Sequence, residues 1–159
     1  MTKVTASALG GHQFLRGMPD EHLEFLAAHA ALLSVPARHR FFEVGGAAQR
    51  FLLIRAGQVA LDLLAPGDGR LVVEAIGRGE VVGVSWFFPP YCWQFGAIAL
   101  QPTEAFDLDG AAVREHCEED PDFGYQFTRR LITVVARRLQ GTRVRMISLC
   151  GDQSSLLVE

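Results

Sequence analysis

Cysteine is scarce in this 159-residue chain, with only Cys92, Cys117 and Cys150 present. The three are odd in number, far apart and in no CxxC pair, which argues against a disulfide framework and against a cysteine zinc site. They read as reduced, buried thiols. Long apolar runs are missing too. No window approaches the roughly 18 uninterrupted apolar residues of a membrane span, and "MTKVTASALGGHQF" lacks a secretory apolar core of about 7 to 15 residues. A cytoplasmic protein without membrane association is therefore expected. Nor is there an excess of charge of one sign. A net charge of −3 and a pI near 5.9 give no global attraction to nucleic acid or anionic lipid. Catalytic motifs are absent as well. There is no nucleophile elbow, no Walker sequence and no paired-carboxylate motif, and the five histidines show neither HxxxH nor HExxH spacing. The expectation is a protein with no catalytic residue and no metal site.

What the chain does have is apolar content. At 49% hydrophobic residues it can bury one substantial core and is too short for two ordinary domains, so residues 1–159 are read as a single domain. "MPDEHLEFLAAHA" places Leu23, Leu26, Ala27 and Ala30 at helical spacing, with Asp20 as the expected N-cap. From about 33 to 109 the pattern changes to short apolar runs punctuated by Gly and Pro. Alternation in "QVALDLL" and "RLVVEAI", separated by "APGDG", predicts a β-hairpin, and Ala56-Gly57 predicts a second tight turn. Strands this short and this closely spaced suggest a small antiparallel roll or sandwich. Helix resumes over about 110–149. Asp109 is placed to cap "GAAVREHCEE", and Asp120-Pro121 supplies a second start with Pro at the first helical position.

In that last helix Tyr125, Thr128, Ile132, Val135, Leu139, Thr142, Met146 and Leu149 follow alternating steps of three and four, the spacing of a coiled-coil seam. Phe127, Leu131 and Val134 lie on a neighbouring face. Two apolar faces imply two contacts, one with the chain's own β-roll and one with a second copy. The expected partner is thus the protein itself, as a homodimer. Acidic residues Glu118, Glu119, Asp120 and Asp122 precede Arg129, Arg130, Arg137, Arg138, Arg143 and Arg145, an order that suits the helix macrodipole.

Three stretches now carry a resemblance. "FFEVGGAAQRFLLIRAGQVAL" contains Gly45 and an I-x-x-G-x-V pattern at Ile54, Gly57 and Val59. "GEVVG" runs Gly79, Glu80, Val82, Gly83, and "ARRLQGTRVRM" holds Thr142. Together they resemble the cyclic-nucleotide-binding domain of the catabolite activator (Crp/Fnr-like) superfamily over roughly 14–149. The resemblance implies an α+β fold: an antiparallel β-roll (jelly roll) with N-terminal helices and a long C-terminal dimerisation helix. It also implies a regulatory module whose ligand is a cyclic nucleotide, cAMP or cGMP. "GVSWFFPPYCWQFGA" occupies the family's phosphate-binding cassette. In members that bind cyclic nucleotide, a Glu after the last Gly accepts from the ribose hydroxyl and an Arg followed by Ser or Thr and Ala neutralises the phosphate. Here the Glu position is Val84, and by counting the other three are Gln94, Phe95 and Gly96. Both charged determinants are missing, so weak or altered ligand specificity is expected. The remaining candidate ligand contacts are Gly83, Val84 and Ser85 through backbone N–H groups, with Trp86, Gln94, Phe95, Thr142 and Arg143.

Six aromatic residues, Trp86, Phe87, Phe88, Tyr91, Trp93 and Phe95, crowd the same cassette. They line a modified apolar pocket, plug the mouth of the roll, or form an exposed patch for a protein partner. The alternatives to a sensory module are accordingly a ligand-free interaction scaffold and a transcriptional regulator without its own DNA-binding domain. After Leu149 only "CGDQSSLLVE" remains, too little for a recognition helix, and direct sequence-specific DNA binding is not expected.

Overall fold

Continuous burial along Phe51-Leu52-Leu53-Ile54 sets the plan of the molecule. In a strand, successive side chains point to opposite faces. All four are fully buried, with Phe51 and Leu53 in one apolar cluster and Leu52 and Ile54 in another. The strand therefore separates two cores. The computed structural model describes residues 3–67 and 69–150. Its strands are β1 (Ala30–Val35), β2 (Arg40–Phe42), β3 (Arg50–Ala56), β4 (Gln58–Leu64), β5 (Arg70–Gly77), β6 (Val81–Val82), β7 (Gly96–Ala99) and β8 (Thr103–Asp109). They form two four-stranded sheets of order β1-β8-β3-β6 and β2-β7-β4-β5, with antiparallel pairing throughout. This is the expected β-roll. Leu52, Ile54, Val59, Ile76, Val82, Ala97 and Ala99 fill the space between the sheets.

The second core lies between β3, β8 and the helices α1 (Ala6–Gly10), α2 (Asp20–Ala28), α3 (Gly110–Glu119) and α4 (Pro121–Cys150). Leu9, Leu26, Trp86, Phe123 and Phe127 are fully buried there. The predicted hairpin is β4–β5, registered from Gln58↔Gly77 to Leu64↔Arg70; Asp68 in its turn lies outside the described residues. The turn at Gly57 requires glycine twice over. Its φ is +96°, and a Cβ would come within 2.5 Å of the Pro102 carbonyl oxygen and Thr103 Oγ1.

Helix starts agree with the sequence in two of three cases. Asp109 accepts from the Ala112 N–H, and Asp120 accepts from the N–H groups of Asp122 and Phe123 at the head of α4. Asp20 is a correction. Pro19 holds the N-cap position with no side-chain cap, and Asp20 is already in the first helical turn, where its charge still suits the dipole. The roll also begins earlier than expected, because Ala30 pairs with Leu108 immediately after α2 ends. The three cysteines are free and only partly buried, where the sequence suggested buried thiols. No described helix is long and apolar enough to cross a membrane. The segment 151–159, in which no recognition helix is expected, lies outside the described residues.

Candidate functional site: the cassette and its two supports

The segment from β6 to β7 leaves the sheet through Gly83, at φ +98°. A Cβ here would lie 3.0 Å from Trp93 carbon atoms, so both the backbone angle and the packing demand glycine. A 3-10 turn, Ser85–Phe87, follows Val84. Its centre is Trp86, fully buried. The indole stacks on Phe51 at 4.5 Å between centroids, meets Phe127 of α4 edge-on at 5.7 Å, and donates its N–H to the Gly83 carbonyl at 3.0 Å. A Trp buries up to about 250 Å² of surface, and such aromatic pairs add about 0.5–1.5 kcal/mol beyond area. The turn is also held from α3. Arg114 donates to the Trp86 carbonyl and its guanidinium lies 4.0 Å over the Tyr91 ring, a cation–π contact. Gly110, at the head of α3, lies so close to the indole that a Cβ would be 2.9 Å from it. The first support of the cassette is therefore the helical core.

The second support is the turn between β2 and β3. Trp93 is 5% exposed and stacks face to face on Phe42, with centroids 3.6 Å apart and planes within 8°. Its backbone pairs with that turn, its carbonyl accepting from Gly45 and its N–H donating to Gly46. The remaining aromatics divide differently. Phe87 is partly buried against the core, while Phe88, Tyr91 and Phe95 are exposed at the rim. The Pro89–Pro90 peptide bond is cis.

Gly96 begins β7 beneath an ion pair. Arg40 donates two parallel hydrogen bonds to Asp62, at 2.8 and 2.7 Å, with Glu43 and Arg70 flanking them. A Cβ on Gly96 would lie 2.6 Å from Arg40 Nη1 and closer still to Asp62 Oδ1. Asp62 is 2% exposed, and the Arg40 guanidinium holds its carboxyl below the usual range. The charge of Arg40 is thus answered within the protein.

The expected ligand residues fall into separate groups. Gly83, Val84, Ser85 and Trp86 are contiguous, with Trp86 wholly inside the core and Ser85 buried. Gln94 and Phe95 are exposed, and Gln94 donates to the Cys92 carbonyl at 3.2 Å. Thr142 and Arg143 are exposed on the distal half of α4. Thr142 accepts from Arg145, which itself donates to the Val73 carbonyl of β5. Among the described residues no hydrogen bond joins Gln94 or Phe95 to Thr142 or Arg143. Sequence reasoning missed Arg114, Arg40 and Asp62. Arg40 and Asp62 are 22 residues apart, and no local pattern announces their pairing.

On α4 the two faces separate cleanly. Phe127 and Leu131 are buried and Val134 packs on the core, whereas Ile132, Val135, Leu139, Met146 and Leu149 are 61%, 44%, 49%, 59% and 88% exposed. Burial pushes the Cys117 thiol beside this helix up to about 11.

A β-roll of two antiparallel sheets, a short turn between β6 and β7, and a closing pair of helices define the cyclic-nucleotide-binding fold, the fold of both stand-alone domains and Crp/Fnr-type regulators. The solved structures it resembles include a chain from Geobacter metallireducens GS-15, assigned rather than demonstrated as a cyclic nucleotide-binding protein (25% identity, 86% of this chain and 98% of that one, TM-score 0.78). A cyclic nucleotide-binding domain from Methylobacillus flagellatus KT follows (19% identity, 89% and 76% covered, TM-score 0.72). So does the Thermus thermophilus catabolite activator protein (20% identity, 87% and 63% covered, TM-score 0.67). No family model matches the chain, and no curated protein matches it.

Proposed function

We propose that the chain is a non-catalytic regulatory module, homodimeric through the exposed stripe of α4, whose cassette binds cyclic nucleotides weakly or accepts a different ligand. The fold and the ligand class of its structural neighbours support the cyclic-nucleotide part of this reading. The observation that carries the altered specificity is the missing charge. Val84 and Gln94 stand where the resembled signature has Glu and Arg, and the Arg40 guanidinium near Gly96 is occupied by Asp62. A charge-assisted contact contributes about 1.5–3 kcal/mol and an ordinary hydrogen bond about 0.5–1.5 kcal/mol. Their combined loss corresponds to roughly two to three powers of ten in affinity. Titration calorimetry of the full chain with cAMP and cGMP tests this. Dissociation constants far above the micromolar range are expected, and sub-micromolar binding of either would refute it.

One observation favours a second reading. Trp93, stacked on Phe42 and pressed against Gly83, occupies space beside the turn that would face a ligand, as in a plugged interaction scaffold. A ligand that binds only the folded state raises the thermal midpoint. A panel of nucleotides and small apolar acids that leaves it unmoved selects the scaffold.

A further inference from the structure

On the side of α4 away from the exposed stripe, a cavity of about 550 Å³ lies between the helix, β5–β6 and the Gln13–Arg16 segment. That is within the roughly 300–1,000 Å³ usual for small-molecule sites. Gln126, Arg130, Thr133 and Arg137 share the helix face that lines it. At about 100° per residue this face is roughly opposite the line of Ile132, Leu139 and Met146, so pairing of two copies through the stripe leaves the cavity open.

Arg138, one of the cavity's lining residues, donates to the Val81 carbonyl and faces Glu74 and Glu80. Arg16, Arg129, Arg130 and Arg137 also line it; Arg129 donates to the Tyr125 hydroxyl, and among the described residues none of the four lies within 4 Å of a carboxylate oxygen. Arg130 is fixed in position. It donates to the Gln126 carbonyl and Oε1 at 3.0 Å and to the Arg16 carbonyl at 3.1 Å. Burial, together with the neighbouring Arg129 charge, lowers its pKa, as expected of a cation crowded by like charge.

Five arginines and two glutamates line the cavity, and this excess of positive charge calls for an anionic ligand. Guanidinium forks match phosphate oxygens in a bidentate manner. The shape limits the ligand further. Glu74 and Glu80 are part of the lining, and Gln13 closes against Gly79, where a Cβ would be 2.6 Å from Gln13 Oε1. A continuous polynucleotide backbone would run into those carboxylates. We propose that this cavity binds a compact anion carrying at least two phosphate groups, separately from the cassette. Such a ligand would bridge the Gln13–Arg16 segment to α4.

The test is calorimetric titration of the full chain with inorganic tripolyphosphate at physiological salt, repeated with Arg16→Gln and Arg137→Gln. Both side chains are exposed, and an unchanged circular dichroism spectrum and thermal midpoint will show that each variant folds. Saturable binding at one site per protomer is expected, weakened at least tenfold by either substitution. The proposal is overturned by no binding, by binding insensitive to both substitutions, by sulfate competing equally at matched ionic strength, or by a single-stranded oligonucleotide or an acidic peptide binding more tightly than tripolyphosphate.

Discussion

Replacing Ile132 by Glu should dissolve the proposed dimer while leaving the protomer folded. Ile132 is 61% exposed in the single chain and Leu139, two turns on, is 49% exposed. Full burial of an Ile or Leu side chain contributes about 1.5–3 kcal/mol, so the part still open on Ile132 is worth roughly 1–2 kcal/mol to a symmetric contact from each copy. The substitution removes that twice. It also sets two carboxylates in an apolar seam without partners, at a further cost of several kcal/mol. A total above about 4 kcal/mol corresponds to roughly a thousandfold weaker association. Within one protomer the same side chain touches little, so its own stability should move by no more than about 0.5 kcal/mol. Sedimentation velocity or light scattering over a range of protein concentrations measures the first quantity, and urea unfolding of the variant the second. If the wild type is already a monomer at high micromolar concentration, or if the variant assembles as the wild type does, the stripe is not an interface and the reasoning fails.

Phe127→Ala should cost about 3–5 kcal/mol in urea unfolding, because the ring is fully buried among Phe14, Phe51, Trp86 and Phe123; a loss below 1 kcal/mol would mean the helical core is not packed as described. His12 gives a pH signature. Its Nδ1 accepts from the Phe14 N–H and its Nε2 donates to the Ile54 carbonyl, and burial lowers its pKa from the ordinary 6.5. A depressed folded-state pKa means that its stabilising contribution is complete above pH 6.5 and is lost as pH falls through the lowered value. The thermal midpoint of the wild type should therefore drop on acidification below neutrality more steeply than that of His12→Asn; parallel profiles would remove His12 as the cause.

The parts legible in the sequence were those fixed by local chemistry. Alternation across Gln58–Leu64, the glycine at 57 and the Asp-Pro start of α4 each depend on neighbours within a few residues. Phe127, Leu131 and Val134 fell on the inner face of α4 because helical geometry sorts side chains every three or four positions. The site was less legible because its partners come from distant strands. Trp86 and Trp93 look alike in a run of aromatics. One is held by Phe51 and Arg114, the other by Phe42, and only the folded chain separates those neighbours. Asp20 shows the opposite failure. A good capping residue was present, but Pro19 preceded it and took the N-cap position.

The chain's two tryptophans both belong to the cassette, seven residues apart and both buried. All indole emission from this protein therefore originates in the one segment whose occupancy is in question. Neither ring is free in water, so the native spectrum should be that of shielded indoles, blue of the free amino acid. A molecule that displaced Trp93 from Phe42 would shift the emission toward the red without unfolding the roll, while one seated among the rim residues Phe88, Tyr91 and Phe95 would leave the wavelength in place. The protein carries its own optical gauge of whether its pocket opens.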